Sequence, residues 1–398
     1  MKQRKVRTAL AVLSVCLVAW QARAVHPSHE LAGQSAALVQ FPRGGNAAEI
    51  PALFVDDLVF LPAAVNQSQP SLFQLDSTAP SSTIDPDRRA ELGTTKLEMP
   101  VLNLSGVDVT LPSLGELAKR DFAARVGRAY EGTLGNDFFG DVVMEINYAR
   151  QTVRLYDPLS YQYAGRGKSV HLSFIAGLPV VHGKISLAGN KAVEGDFVLN
   201  TALDASLLIS QRFAESHKLR PRRTIPSTEF VADGSGPAEL ARVGAFDIGP
   251  FTVAQLIGVF SRAPSLADRD RRLAGEVGAT MLRRFIVTFD YPHQQIVLDS
   301  SSNFRADEVE DMSGLEIVAS GPALKRFEVT AVWPHTPGAD AGIRKGDVIE
   351  GINGEAAADL SLAEIRALFR QQAGRYTVLL GRGTQSVTVN LRMRRLLE

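Results

Sequence analysis

Leu72-Phe73-Gln74-Leu75-Asp76-Ser77-Thr78-Ala79-Pro80-Ser81-Ser82-Thr83-Ile84-Asp85 and Phe197-Val198-Leu199-Asn200-Thr201-Ala202-Leu203-Asp204-Ala205-Ser206-Leu207-Leu208-Ile209-Ser210 follow one pattern. Each is an apolar strand that runs into a polar residue, a hydroxyl, two small or apolar residues and then a further apolar strand. A second matched pair lies downstream. Gly132-Thr133-Leu134-Gly135 and Gly275-Glu276-Val277-Gly278 both lead through a short apolar turn into an alternating strand. An Asn147-Tyr148 or Asp290-Tyr291 turn follows, and then a second alternating strand ending near Asp157 or Asp299. Two matched pairs in the same order predict duplicated lobes, at 45–160 and 168–302.

Both lobes read as mainly β, with short alternating segments punctuated by Gly, Pro, Asn and Asp. The pattern predicts a short helix over Leu114–Ala124 and a turn and helix over Gln211–His217. Tyr161–Lys168, with two glycines, reads as the inter-lobe linker. Residues 300–310 turn Ser-rich and then acidic, and the texture changes beyond them. Phe327, Val329, Ala331 and Trp333 alternate as a strand. Asp347–Ile352 runs into the tight-turn pair Asn353-Gly354. Ser361 and Glu364 form a capping box for a helix carrying Leu362, Ile365, Leu368 and Phe369, ended by Gly374. Strands follow at Tyr376–Leu380 and Val387–Leu391. This is a compact α+β module, residues 308–398, with its own core.

The 398 residues are 45 % apolar and 22 % charged, the composition of a folded globular chain. Basic and acidic residues balance at 43 each, so no basic excess points to nucleic acid. Lys2, Arg4, Lys5 and Arg7 precede an apolar run from Thr8 to Trp20, and Ala22-Arg23-Ala24 has small residues where a signal peptidase reads. Residues 1–24 therefore read as a secretory signal peptide cleaved after Ala24, which predicts export to the periplasm or beyond. Removing its five basic residues leaves 38 against 43 acidic, a net charge of −5. The single cysteine, Cys16, lies inside the apolar run, so the mature chain would have no thiol and no disulfide. No other stretch is long enough to span a bilayer.

At these residues the chain resembles known families. The strand-Asp-hydroxyl-small-small unit, followed by Gly135-Asn136-Asp137-Phe138-Phe139, is similar to bacterial retropepsin-like and pepsin-like aspartic proteases. Gly338-Ala339-Asp340-Ala341-Gly342-Ile343-Arg344-Lys345-Gly346-Asp347-Val348-Ile349 and Gly351-Ile352-Asn353-Gly354 resemble a PDZ domain. The resemblance implies a two-lobed pepsin/retropepsin-like fold followed by an α+β PDZ domain. It also implies that one loop from each lobe meets at a peptide-binding groove.

Aspartic proteolysis requires two carboxylates that face each other and share one proton, so that one activates water and the other donates to the scissile carbonyl. The resemblance places Asp76, Ser77 and Thr78 in the first loop and Asn200, Thr201 and Ala202 in the second. One carboxylate of two is kept, and so are both bracing hydroxyls, Ser77 and Thr201, while both glycines are replaced. An amide can donate and accept hydrogen bonds but cannot carry the shared proton. The favoured expectation is a catalytically impaired, peptide-binding protein. The alternative is an active endopeptidase using Asp76, either with Asn200 or paired with Asp76 of a second copy. Asp196, four strand residues before Asn200, would lie about 13 Å away. Asp204 sits in the loop and Asp85 reads as a structural turn residue. Candidate flaps are Ala232–Gly236 and Asn103–Gly106.

A PDZ domain takes an extended peptide as an added strand and holds its terminal carboxylate on a Gly-containing loop. Met312-Ser313-Gly314-Leu315 resembles that loop and Leu315–Ala319 the receiving strand. The predicted peptide-binding residues are Ser313, Gly314, Leu315, Ile317 and Leu362, for protein tails that end in an apolar residue. Ile365 and Phe369 read as core. Gly165-Arg166-Gly167-Lys168-Ser169 lacks the spacing of a phosphate loop, and His26, His29 and Glu30 lie at the mature N-terminus. No serine-hydrolase elbow or His-Glu-x-x-His motif is present, and neither cofactor nor metal is expected.

Overall fold

The computed structural model describes residues 39–93, 99–188, 191–231 and 234–397. The predicted signal peptide, Cys16, His26, His29 and Glu30 lie outside the described residues, as do 232 and 233 of one candidate flap.

The chain is mainly β, with two lobes of matching design and a C-terminal α+β module. In the first lobe, strand Gly132–Leu134 lies parallel to Ser71–Leu75 and antiparallel to Thr83–Ile84. In the second, Leu273–Gly278 lies parallel to Val193–Asn200 and antiparallel to Leu207–Ile209. The paired residues match as well: Gly132 faces Phe73, and Gly275 faces Phe197. This threading explains the repeated Gly-x-apolar-Gly. A Cβ on Gly135 would stand 2.7 Å from the Ser81 carbonyl carbon, and one on Gly278 would stand 2.2 Å from the Ala205 oxygen. Only a residue without a side chain passes under those loops.

The strands that follow each motif build a sheet shared by both lobes. Val143–Asn147 pairs antiparallel with Phe285–Asp290 at its centre. Thr152–Tyr156 and Gln295–Ser300 flank that pair, and Ala47–Ile50 and Lys168–His171 form the edges. One apolar core runs through both lobes. Phe139 of the first lobe packs on Phe289 and Tyr291 of the second, with ring centroids 5.5 and 5.4 Å apart.

The C-terminal module has its own core, which includes Ile317, Phe327, Val329, Leu362, Ile365 and Phe369. Its strands Leu315–Ser320, Arg326–Val332, Val348–Ile352, Arg375–Arg382 and Gln385–Arg392 lie side by side in that order. Leu315–Ser320 is an edge strand. Asn353 and Gly354 both take positive φ, as a tight hairpin turn requires. Both halves of the Ser361–Glu364 capping box form, starting the helix Leu362–Phe369.

Two local expectations shift. The predicted helix over Leu114–Ala124 forms instead at Arg120–Val126, because Gly115–Glu116 is drawn into a parallel bridge with Thr83–Ile84. Gly374 does not end the last helix. That helix stops at Phe369, Ala373 takes the left-handed turn (φ 60°), and the Gly374 carbonyl accepts from Met393 N–H. Gln211–Ser216 forms as a helix, capped by Ser210 Oγ accepting from Phe213 N–H. No helix among the described residues is long and apolar enough to cross a membrane.

Candidate functional site

The two matched loops meet at the lobe boundary. Ser77 N–H donates to Thr201 Oγ1 (3.0 Å) and Thr201 N–H donates to Ser77 Oγ (3.1 Å). Ser77 Oγ–H donates to the Leu199 carbonyl (2.7 Å) and Thr201 Oγ1–H to the Leu75 carbonyl (2.9 Å). Each hydroxyl is thus buried in the opposite lobe, and the four bonds form a reciprocal clasp. Thr78 and Ala202, where the resembled families have glycine, do not prevent it. Neither needs positive φ. Thr78 folds back so that its hydroxyl and its N–H both donate to Asp76 Oδ1, at 2.6 and 2.9 Å.

The clasp sets Asp76 and Asn200 in equivalent positions on one cavity of about 690 Å³. Their inner oxygens are held alike: Ala79 N–H adds a third bond to Asp76 Oδ1 (3.2 Å), and Asn200 Oδ1 accepts from Ala202 N–H (2.9 Å). The outer atoms differ. Among the described residues nothing donates to Asp76 Oδ2, whereas Asn200 Nδ2 donates to Glu276 Oε2 at 2.7 Å. The Asn200 amide is therefore fixed at both ends, with its carbonyl turned to the backbone and its NH₂ toward a carboxylate. Because lobe 2 fills the face that lobe 1 would offer to a second copy, pairing Asp76 between two chains would require all four clasp bonds to break.

Two buried charged residues in this cavity escaped the sequence reading. Glu276 lies in the strand beside Asn200 and is only 3 % exposed. It stands where lobe 1 has Thr133, and a charge at an inward position of that repeat was the available signal. Lys119 is also 3 % exposed, and its Nζ donates to Thr133 Oγ1 (2.7 Å) and Thr83 Oγ1 (3.0 Å). Burial pushes its ammonium down to about 8, against the pull of Asp76 and Asp85. A helix beginning at Leu114 would have carried Lys119 along its length, so the misplaced helix start hid this residue. Burial raises the Tyr130 hydroxyl well above its ordinary value, and the Asp76 charge adds to that.

The other acids considered stand apart from Asp76. Asp85 caps the helix Pro86–Glu91, accepting from Asp87 N–H (3.0 Å), and its second oxygen accepts from Lys119 N–H (2.9 Å). Asp196 pairs with His182 (2.9 Å). Asp204 lines a different cavity, of about 570 Å³. The Asn103–Gly106 turn lies against Pro42 and does not line the Asp76 cavity. The wall there is instead the helix Arg120–Val126, through Phe122, Arg125 and Val126, with Tyr130 beyond it.

In the C-terminal module, Ser313 and Gly314 lead into the edge strand with Leu315 and Ile317, whereas Leu362 starts the helix whose other end, at the Phe369 carbonyl, accepts from Met312 N–H (3.0 Å). Ser313 and Leu362 are fully buried, and Leu315 and Ile317 nearly so. Ser313 N–H donates to Asp311 (2.7 Å) and Leu315 N–H to Ser313 Oγ (3.1 Å), while Gly314 takes the positive φ (69°) of the loop. Ile365 and Phe369 are core, as read.

No curated protein matches this chain. Among solved structures, the HtrA3 PDZ domain bound to a phage-derived ligand (FGRWV) is 18 % identical, with TM-score 0.20, over 22 % of this chain and 88 % of that one. The photosystem II D1 C-terminal processing protease is 28 % identical, with TM-score 0.19, over 22 % of this chain and 24 % of that one. An aspartic proteinase from Irpex lacteus is 12 % identical, with TM-score 0.40, over 65 % of this chain and 99 % of that one. The PDZ domain family matches residues 328–380. That match falls within the separate C-terminal core and sheet, and the module following the two lobes is a PDZ domain.

Proposed function

We propose that this is an exported, aspartic protease-like peptide-binding protein. Its inter-lobe cleft holds extended chain without efficient hydrolysis, and its PDZ domain takes C-terminal tails. The export reading rests on residues 1–24. The observation that carries the functional reading is the fixed Asn200 amide. It occupies the place of the second acid, its carbonyl accepts from Ala202 N–H, and its NH₂ donates to Glu276. Asp76 thus has no partner there with which to share a proton, and general acid–base chemistry that typically contributes about 10²–10⁴-fold is lost. The clasp keeps the cleft itself intact.

Glu276 favours a second reading, slow hydrolysis. It brings a second carboxylate into the same cavity, one amide away from the position that chemistry needs. Purified protein incubated with unfolded casein across pH 3–7 separates the two. Silence of the wild-type protein supports the binding reading. Cleavage abolished by both Asp76→Ala and Glu276→Gln overturns it in favour of the second.

A further inference from the structure

The helix Arg120–Val126 has two faces at work. One side, with Phe122, Arg125 and Val126, walls the Asp76 cavity. The other side packs on the PDZ edge strand Leu315–Ser320, where an added peptide strand would pair. Arg125 and Val126 also wall the second cavity, which runs along Leu315–Val318, so together with Leu58, Ala202, Leu203 and Leu208 they stand as a partition between the two spaces. Just past the helix, Gly127 rests on the PDZ helix so closely that a Cβ there would come within 2.5 Å of Leu362 Cβ. Arg366 of that helix staples the arrangement. Its Nη2 donates both to the Arg125 carbonyl (2.8 Å) and to the Ile317 carbonyl of the edge strand (3.4 Å). Arg366 and Arg370 also pair with Asp56 of lobe 1, at 3.1 and 3.3 Å. The chain's own lobe 1 therefore lies over the tail groove and leaves only the second cavity, of about 570 Å³, beside Leu315–Val318.

We infer that a protein tail ending in an apolar residue enters the PDZ groove by displacing the Arg120–Val126 segment, and that this displacement opens the Asp76 cleft to chain continuous with the tail. The inference rests on the tail-binding reading of the PDZ domain and extends it to control of the cleft. The segment is suited to move. It is one seven-residue helix with no side-chain cap at its start, and so short a helix holds its form mainly through packing. Tail and cleft ligands then favour the same open state, so each tightens the other by the same factor. The closed state also weakens tail binding by the fraction of molecules that are open.

The test uses the full chain with Cys16→Ser, which leaves no native thiol, and Val126→Cys as a reporter at a position that is 8 % exposed. The probe is a fluorescein-labelled pool of pentapeptides with four randomised positions and a free C-terminal Val, Leu, Ile or Phe. An amidated pool is the control. The free-acid pool is expected to speed alkylation of the introduced thiol by N-ethylmaleimide by about 5-fold or more, and the amidated pool to leave the rate unchanged. Independently, Asp56→Asn in the otherwise native chain removes the clamp charge and keeps a residue type tolerant of the positive φ there (51°). It is expected to tighten binding of the pool by about 5–10-fold. Binding of the pool with no change in alkylation, or with equal affinity in wild type and Asp56→Asn, overturns the displacement while sparing the tail-binding reading. Binding to neither protein overturns both.

Discussion

Lobe 1 and lobe 2 hold their central loops with the same bonds and put different chemistry on them. Asp76 and Asn200 each accept a backbone N–H from two residues on, and Ser77 and Thr201 trade hydroxyls across the boundary. Behind those loops the lobes part. Thr133 in lobe 1 accepts a hydrogen bond from buried Lys119, while its counterpart Glu276 in lobe 2 accepts one from Asn200. The bonds that hold the two loops are the same in both copies, and the side chains that could titrate beside them are not.

Restoring the symmetry should have the largest effect. Asn200→Asp alone would set a new carboxylate against Glu276 at 2.7 Å, and that pair would hold a proton between themselves instead of sharing one with Asp76. Combining Asn200→Asp with Glu276→Thr copies the lobe 1 arrangement into lobe 2. The double variant should cleave unfolded casein at acidic pH at least about 10²-fold faster than wild type, and faster than either single variant. Equal rates in all four proteins would show that the acid pair alone does not decide the activity.

Breaking the clasp tests the kept half of the comparison. Thr201→Val preserves shape while removing the acceptor of Ser77 N–H and a donor to the Leu75 carbonyl, both at a buried boundary. At about 1–3 kcal/mol for each unsatisfied group, urea denaturation should report a loss of about 2–6 kcal/mol. Ser77→Ala should cost a similar amount. The double variant should cost less than the sum, because each hydroxyl serves the other's backbone.

Much of this frame was legible in the sequence and some of the chemistry was not. The duplication could be read because threading a strand under a loop demands glycine at two fixed places, and Gly132, Gly135, Gly275 and Gly278 record that demand four times. The hydroxyls after Asp76 and Asn200 could be placed through the resemblance to aspartic proteases, which implies that each braces the opposite loop. Lys119 could not, since its burial depends on Gly115–Glu116 joining a strand about 30 residues earlier in the chain, and local helical spacing does not report such a contact. The packing of the Arg120–Val126 helix on the PDZ strand was equally hidden. It joins segments far apart in the chain through Arg366 and a glycine contact.

Lys119 sharpens the comparison through pH. Its ammonium titrates near 8 in the folded chain and near 10.5 when unfolded. Below pH 8 both states carry the proton, and the folded state bears the full cost of burying the charge. Between about 8 and 10.5 the unfolded state binds more protons, so this residue's contribution to stability rises with pH. Against Lys119→Met, the wild-type protein should gain up to about 3 kcal/mol in relative stability from about pH 7.5 to about pH 10.5. A flat difference in urea denaturation across that range would place the ammonium in contact with water.

The smallest effect separates two helix caps at matching places in the lobes. Asp85 follows Ile84 and starts the helix Pro86–Glu91, and Ser210 follows Ile209 and starts Gln211–Ser216. Ser210 Oγ accepts from Phe213 N–H, so Ser210→Ala should cost about 1 kcal/mol, as caps generally do. Asp85 caps with one oxygen and accepts Lys119 N–H with the other, and its charge also offsets part of the burial cost of the Lys119 ammonium. Asp85→Ala should therefore cost more than Ser210→Ala. The excess should shrink as pH rises past about 8, where Lys119 loses its proton, and in a Lys119→Met background only the cap and the backbone bond should remain. Equal costs for the two caps at neutral pH would mean that Asp85 acts only on its own helix, and that Lys119 is held by Thr83 and Thr133 alone.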